Sequence, residues 1–202
     1  MLRPPAGRAG RLWLLRRLTV ARRGRDVLEQ KRRALMRQLD RLEGELAEAQ
    51  RDWELEAHAA EEWWQRAAVL AGERPLALAC EAARGRAEVK LVWRNALGVV
   101  FPAEVSLVVP EAELFPAGGS SALILAAEAH TRALDAAARL GAAELAHRRT
   151  AAELHATTLR VRAIDRRWIP EHERALATLE LALDEGEREE SVRIRWIAAR
   201  AG

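Results

Sequence analysis

Between Gly10 and Leu70, apolar residues recur at alternating spacings of four and three. Leu35, Leu39, Leu42, Leu46, Ala49, Trp53, Ala60, Trp63, Ala67 and Leu70 share one register, with Glu56 the one clear break. Extended toward the N-terminus, the same register collects Leu28, Ala21, Leu18 and Leu14. A spacing that averages 3.5 residues keeps one helix face apolar over many turns. Sustained this long, it predicts a single long helix built to pair with another, rather than a globular surface helix. Gly24 and Gly44 are weak points inside it, each costing about 1 kcal/mol relative to Ala where exposed.

The middle of the chain follows another period. Gly72 and Pro75 break the helical pattern, and an alanine-rich piece from Leu76 to Ala83 predicts a short helix. After Gly85, Val89, Leu91 and Trp93 alternate with Glu88, Lys90 and Val92. Val99-Val100-Phe101 and then Val105, Leu107 and Val109 form two further β-rich stretches. Pro102, Pro110 and Pro116 punctuate them and Gly118-Gly119 closes the region, which predicts a small antiparallel hairpin or a three-strand element. An isolated hairpin is marginal in water, so this one should pack on the helices or on another chain. Helical spacing returns after Ser120-Ser121, residue types that favour a helix N-cap. Leu134, Ala138, Leu145, Ala152, Leu159 and Ala163 keep a mixed seven-residue spacing. Ile169, Leu176, Leu183 and Ile197 continue one at sevens, with Glu190 interrupting. Pro170 removes one backbone hydrogen bond and predicts a local kink. The expected fold is mainly α: a long antiparallel two-helix coiled coil of N- and C-terminal helices with a small β-hairpin head between them. The expected segments are 1–71, 72–120 and 121–202.

Composition supports this. Ala, Leu, Arg and Glu dominate, as in long helices, while two Phe and no Tyr leave little for a large globular core. The formal charge of +3 is unevenly placed, because residues 1–37 hold twelve Lys or Arg against two acids, Asp26 and Glu29. Such an arm points to an acidic protein surface, a nucleic acid or an anionic membrane face. Its Arg-rich, acid-poor character also matches a mitochondrial transit peptide. A single cysteine, Cys80, excludes an internal disulfide framework, and no apolar run approaches the roughly 20 residues of a membrane span.

Candidate chemistry is sparse. Gly118-Gly119-Ser120-Ser121 lacks the lysine of a phosphate loop. His147 and His155, eight residues apart, have no carboxylates or third ligand at matching spacing and read as solvated polar residues. Cys80 reads as a packed small residue in its alanine-rich segment. The carboxylates from Asp184 to Glu190 spread around a helix circumference and read as a solvated surface. Among the clustered tryptophans, Trp53 and Trp63 fall on the seam and Trp64 is left as a contact. Periodicity alone thus points to a structural or interaction protein. A coiled-coil scaffold or adaptor holding an acidic partner or nucleic acid through the basic arm stays open.

Particular residues take the reading further. Leu18-Thr19-Val20-Ala21-Arg22-Arg23-Gly24 and Val27-Leu28-Glu29-Gln30-Lys31-Arg32-Arg33-Ala34-Leu35 resemble the N-terminal signature of the D subunit of V/A-type rotary ATPases. Arg160-Val161-Arg162-Ala163-Ile164, leading to Ile169-Pro170, is similar to that family's Arg-Val-Asn-Ala-Leu…Ile-Pro segment. Leu183-Asp184-Glu185-Gly186-Glu187-Arg188-Glu189 resembles its Leu-x-Glu-x-Glu-Arg-Glu box, followed by the basic-apolar tail Arg193-Ile194-Arg195-Trp196-Ile197. Asn95-Ala96-Leu97-Gly98 with Pro102 resembles its hairpin element. Departures are Gly7 for the usual Thr, Arg162 for Asn, and Ala198-Ala199 in a normally lysine-rich end.

The resemblance implies a central-stalk rotor component that couples ATP hydrolysis or synthesis to proton or sodium transport while doing no chemistry itself. It implies no cofactor, no metal, no catalytic residue, no direct nucleotide binding and no nucleic acid. The implied partners are the catalytic A and B subunits of the hexameric head, the small F subunit of the stalk, and the socket above the membrane ring (the C or d subunit). The implied location is cytoplasmic, peripheral to the membrane through the complex. Catalytic-head contacts would fall on Arg11, Leu12, Trp13, Arg16, Arg17, Arg22, Arg23, Arg25, Arg193, Arg195 and Trp196. Stalk contacts would fall on Trp93, Asn95, Gly98, Phe101 and Pro102.

Overall fold

Helix α1 runs from Gly7 to Ala71, and Gly72 ends it by adopting φ +83°, a left-handed conformation that costs glycine little; its N–H returns to the Ala68 carbonyl at 3.1 Å. The structure, a computed structural model, describes residues 5–82, 85–110 and 120–201. After α1 come α2 (Glu73–Ala82), strands β1 (Glu88–Ala96) and β2 (Val99–Val108), α3 (Ser121–Ala163), a π-helical turn (Ile164–Trp168) and α4 (Ile169–Ala201). The mainly helical class and the hairpin between long N- and C-terminal helices are as the periodicities predict. The chain divides into two compact units, one of residues 1–33 with 154–202 and one of residues 34–153.

In the first unit, Arg8, Arg11 and Arg22 of α1 pair with Glu187, Glu180 and Glu173 of α4, and Arg25 with Asp165 of the π turn. One set of numbers rises as the other falls, so the segments are antiparallel. Leu14 and Leu18 fill the α1 side of the seam, and Thr157, Val161 and His172 are buried from the other strand of the pair. Burying each leucine contributes about 1.5–3 kcal/mol. Just before Pro170, where a kink is expected, the helix takes a π turn. The Ile169 N–H reaches back to the Ile164 carbonyl, so an extra residue is accommodated where proline offers no donor.

In the second unit, α1 and α3 are again antiparallel: Glu56 meets Arg132 at 3.0 Å and Glu43 meets His147 at 3.7 Å. Leu35, Leu42, Ala60 and Ala67 are buried on α1 as the seam predicts. Leu70, by contrast, is 71% exposed, and Trp53 is 38% exposed. Glu56, the break in the pattern, is half-buried and its Arg132 partner accounts for its tolerance there. Trp63 packs on a cluster of Ala67, Ala122, Leu123 and Ala126. Ser120 caps α3, its hydroxyl accepting from the Ala122 N–H at 3.3 Å.

Two expectations need correcting. The buried residues of α3 are Ala122, Leu123, Ala126, Ala129, Ala136, Ala142, Ala146, Thr150, Thr157 and Val161, with Leu140, Leu145 and Leu154 half-buried. Leu134 and Leu159, expected on the seam, are exposed, as are Ala152 and Ala163. Leucine is a poor marker where the seam is built from small side chains that let two helices approach closely. The second and third β-rich stretches are also one strand, β2, paired antiparallel with β1. Pro102 does not end it, because Val92 faces Glu104 and Trp93 faces Pro102, leaving Ala103 as a bulge where a missing donor is harmless. Ala83, Pro116 and Gly118-Gly119 lie outside the described residues.

Candidate functional site

The first unit concentrates positive charge. Residues 1–33 with 154–202 hold 20 basic against 11 acidic side chains, a net +9, whereas residues 34–153 hold 13 against 19, a net −6. The arginines of α1 from Arg8 to Arg25 fall into two groups. Arg8, Arg11, Arg22 and Arg25 are consumed by ion pairs across the seam at 2.9, 2.7, 2.7 and 3.6 Å. These pairs are exposed, each contributing about 0.2–1 kcal/mol, and act chiefly to hold register. Arg16, Arg17 and Arg23 meet no carboxylate among the described residues. Arg17 instead lies over the rings of Trp13 at 4.6 Å and Trp168 at 5.6 Å.

At the other end of the expected contact set, Arg193 pairs with Glu190 one turn away and Arg195 donates to the Ser191 carbonyl at 3.3 Å. Trp196 is 57% exposed beneath Arg200, and Leu12 is likewise exposed while Trp13 is half-buried. Glu29 and Arg32, inside the resemblance stretch Val27–Leu35, form a bidentate pair at 2.7 and 2.8 Å. The Arg32 hydrogen bonds, helped by Arg33, lower the Glu29 carboxyl to about 2.

Trp168 is not among the expected contacts, nor are Arg166 and Arg167, which also lack a carboxylate partner among the described residues. Trp168 stacks on His172 at 3.5 Å between ring centroids. His172, 2% exposed, donates from Nδ1 to the Trp168 carbonyl at 2.8 Å, while its buried Nε2 has no hydrogen-bond partner among the described residues. The only sequence signal for this group is Asp165-Arg166-Arg167-Trp168 directly before Ile169-Pro170. The π turn then shifts the helical phase on which spacing arguments rest.

In the second unit, Arg149 of α3 clamps the hairpin, donating to the Val100 carbonyl at 2.8 Å and covering the Trp93 ring at 5.0 Å. Trp93 is about half exposed, and Asn95 is exposed with Gly98 at the hairpin tip. Leu97 and Gly98 form the two-residue turn at φ +57° and +80°, a type of turn that suits glycine and strains leucine. Phe101 and Pro102 are buried within this unit, Phe101 at 6% exposure, and hold the hairpin to its own chain. Trp64 meets His130 edge-on at 5.6 Å. Cys80 is exposed rather than packed, His155 is exposed, and the carboxylates from Asp184 to Glu190 lie along α4, facing solvent. Among the described residues no helix is long and apolar enough to cross a membrane.

Comparison with known proteins agrees with the motifs in both arms. The family model that describes the D subunit of ATP synthase matches residues 12–199. The chain belongs to the ATP synthase D-subunit family. Among its relatives, the A-type ATP synthase D subunit of Thermococcus gammatolerans is 31% identical, covering 92% of this chain and 89% of the relative. That of Pyrococcus furiosus is 30% identical over 93% and 90%. The V-type ATP synthase D subunit of an Anaeromyxobacter species (strain Fw109-5) is 29% identical over 99% and 95%. The family match spans both units, so the paired helices and the hairpin between them belong to one family pattern.

Proposed function

We propose that this D subunit is the non-catalytic rotor shaft of a V/A-type rotary ATPase, coupling ATP hydrolysis or synthesis in the catalytic head to proton or sodium movement through the membrane ring. The observation that carries the proposal is the first unit: an antiparallel helical pair locked by its own ion pairs, yet presenting Arg16, Arg17 and Arg23 without carboxylate partners among the described residues. A paired helix resists bending and twisting, and an asymmetric shaft inside a ring of alternating A and B subunits makes its sites inequivalent. Turning it favours each site's conformations in sequence, because the shaft binds those conformations unequally. Cationic contacts to an acidic ring interior attract without requiring one unique register, which suits a part that turns.

The second unit, with the hairpin held by Phe101 and Arg149, takes the small F subunit of the stalk and the socket formed by the C or d subunit. The chain then sits at the cytoplasmic face, peripheral to the membrane through the complex. Reversing Arg16, Arg17 and Arg23 to Glu in the assembled complex is expected to leave ATP hydrolysis while abolishing ion transport. Unchanged transport per ATP would refute the assignment of these arginines. Failure of the tagged wild-type chain to co-purify with the A, B and F subunits would refute the shaft reading itself.

A further inference from the structure

Glu187 is the last residue of α4 paired with α1, through Arg8. Among the described residues, the ion pairs, hydrogen bonds and ring contacts made after it all stay within α4. Every residue from 184 to 200 is exposed. A helix in a protein owes most of its stability to packing one face, so a stretch exposed on all sides lacks the usual source. One of its faces nonetheless has the pattern of a seam. Glu185, Glu189, Val192 and Trp196 follow spacings of four, three and four, and with Arg188 and Arg193 they line a shallow groove of about 410 Å³. Val192 and Trp196 are 61% and 57% exposed. Arg200 lies over the Trp196 ring at 4.1 Å and takes one of its two faces.

Charge along this stretch falls into two blocks. Residues 184–190 hold five acids and one Arg, whereas residues 191–200 hold three Arg and no acid. A matching partner is basic where this helix is acidic and acidic where it is basic. The same helix turned end for end meets that requirement, whereas parallel copies would set like charges side by side. We infer that the free chain pairs with a second copy through this stripe, antiparallel about a two-fold axis near Ile194. Val192 and Trp196 of one copy then pack on Trp196 and Val192 of the other. Glu189 comes beside Arg200 of the second copy, and neither has an ion-pair partner among the described residues, so no existing pair is broken. A contact of this symmetry closes at two copies. Its overlap is about 25 Å long, so the pair is weak, with Kd on the order of 10 µM. The inference concerns the chain before assembly and does not need the shaft reading. Where that reading holds, pairing covers Trp196 until the catalytic head replaces the second copy.

The test is sedimentation equilibrium of the purified full chain from about 1 to about 200 µM, with a reversible shift from one chain to two as the expected result. Trp196→Glu and, separately, Val192→Glu should weaken dimerisation by about 30-fold or more. Val69→Glu, at a position 84% exposed on α1, should leave it unchanged. Glu189→Arg or Arg200→Glu alone should weaken it about 5-fold, and the two combined in one chain should restore it, because the reversed pair meets only when the copies are antiparallel. A chain that stays single throughout this range would overturn the inference. So would a dimer indifferent to both Glu substitutions in the stripe, or one in which combining the charge reversals fails to recover what each loses.

Discussion

The two units use the same antiparallel helix pairing for opposite ends. Residues 1–33 with 154–202 carry +9 and leave Arg16, Arg17 and Arg23 without carboxylates among the described residues, whereas residues 34–153 carry −6 and bury Val99, Phe101 and Pro102 of a hairpin against their own helices. In the first, the seam holds the two arms together and arginines remain on the faces it does not use. In the second, packing also holds an appended element in place. The difference teaches that a coiled coil's buried face says little about its task, which is written on the faces the seam does not use.

Core truncations should separate the units most strongly. Phe101→Ala is expected to cost the second unit about 3–5 kcal/mol, and Leu14→Ala the first about 2–5 kcal/mol. Hydrogen exchange read residue by residue should show lost protection confined to the truncated unit. Protection lost equally in both would mean that they fold as one block. Next in size is Arg149→Ala, expected to cost about 1–2 kcal/mol through its hydrogen bond to Val100 and its cover of Trp93. It should loosen the hairpin amides while the ion pairs of the first unit persist.

Smaller substitutions sharpen the contrast. Gly44 sits in α1 with open space where a Cβ would go, so Gly44→Ala should stabilise the second unit by up to about 1 kcal/mol in thermal unfolding. Arg11→Gln should cost about 0.2–1 kcal/mol, as an exposed pair, with less loss of assembly than Arg16→Gln. The smallest effect is that of Glu29. Its carboxyl is held near 2, below its ordinary 4.5, so its contribution is full above 4.5 and is lost as pH falls through about 2. Arg32→Gln should move the Glu29 titration, followed by carboxyl NMR, back toward 4.5; no movement would remove Arg32 as the cause.

Much of the fold is legible in the sequence. Leucines at heptad spacing mark α1 because its seam is made of them, and the change to period two at Val89 marks the hairpin. The seam of α3 is not legible, because Ala129, Ala136, Thr150 and Thr157 look like any exposed helix positions while Leu134 and Leu159 mislead. Pro102 reads as a breaker because a bulge that excuses a missing N–H depends on the partner strand. The site is legible as a residue type only. Whether an arginine is consumed or left over depends on what stands across the seam, and Arg22 and Glu173 are 151 positions apart. Trp168 is hidden by the π turn, which breaks the phase from which its direction would be read.

The most direct test of the central claim is to watch the chain turn. With a probe attached at the exposed Cys80, the chain's single cysteine, the complex would be immobilised through its catalytic head and given ATP. The account predicts unidirectional rotation of the probe, stalled by reversal of Arg16, Arg17 and Arg23 to Glu while hydrolysis continues. Sustained hydrolysis by the wild-type assembly with the probe stationary relative to the head would contradict it.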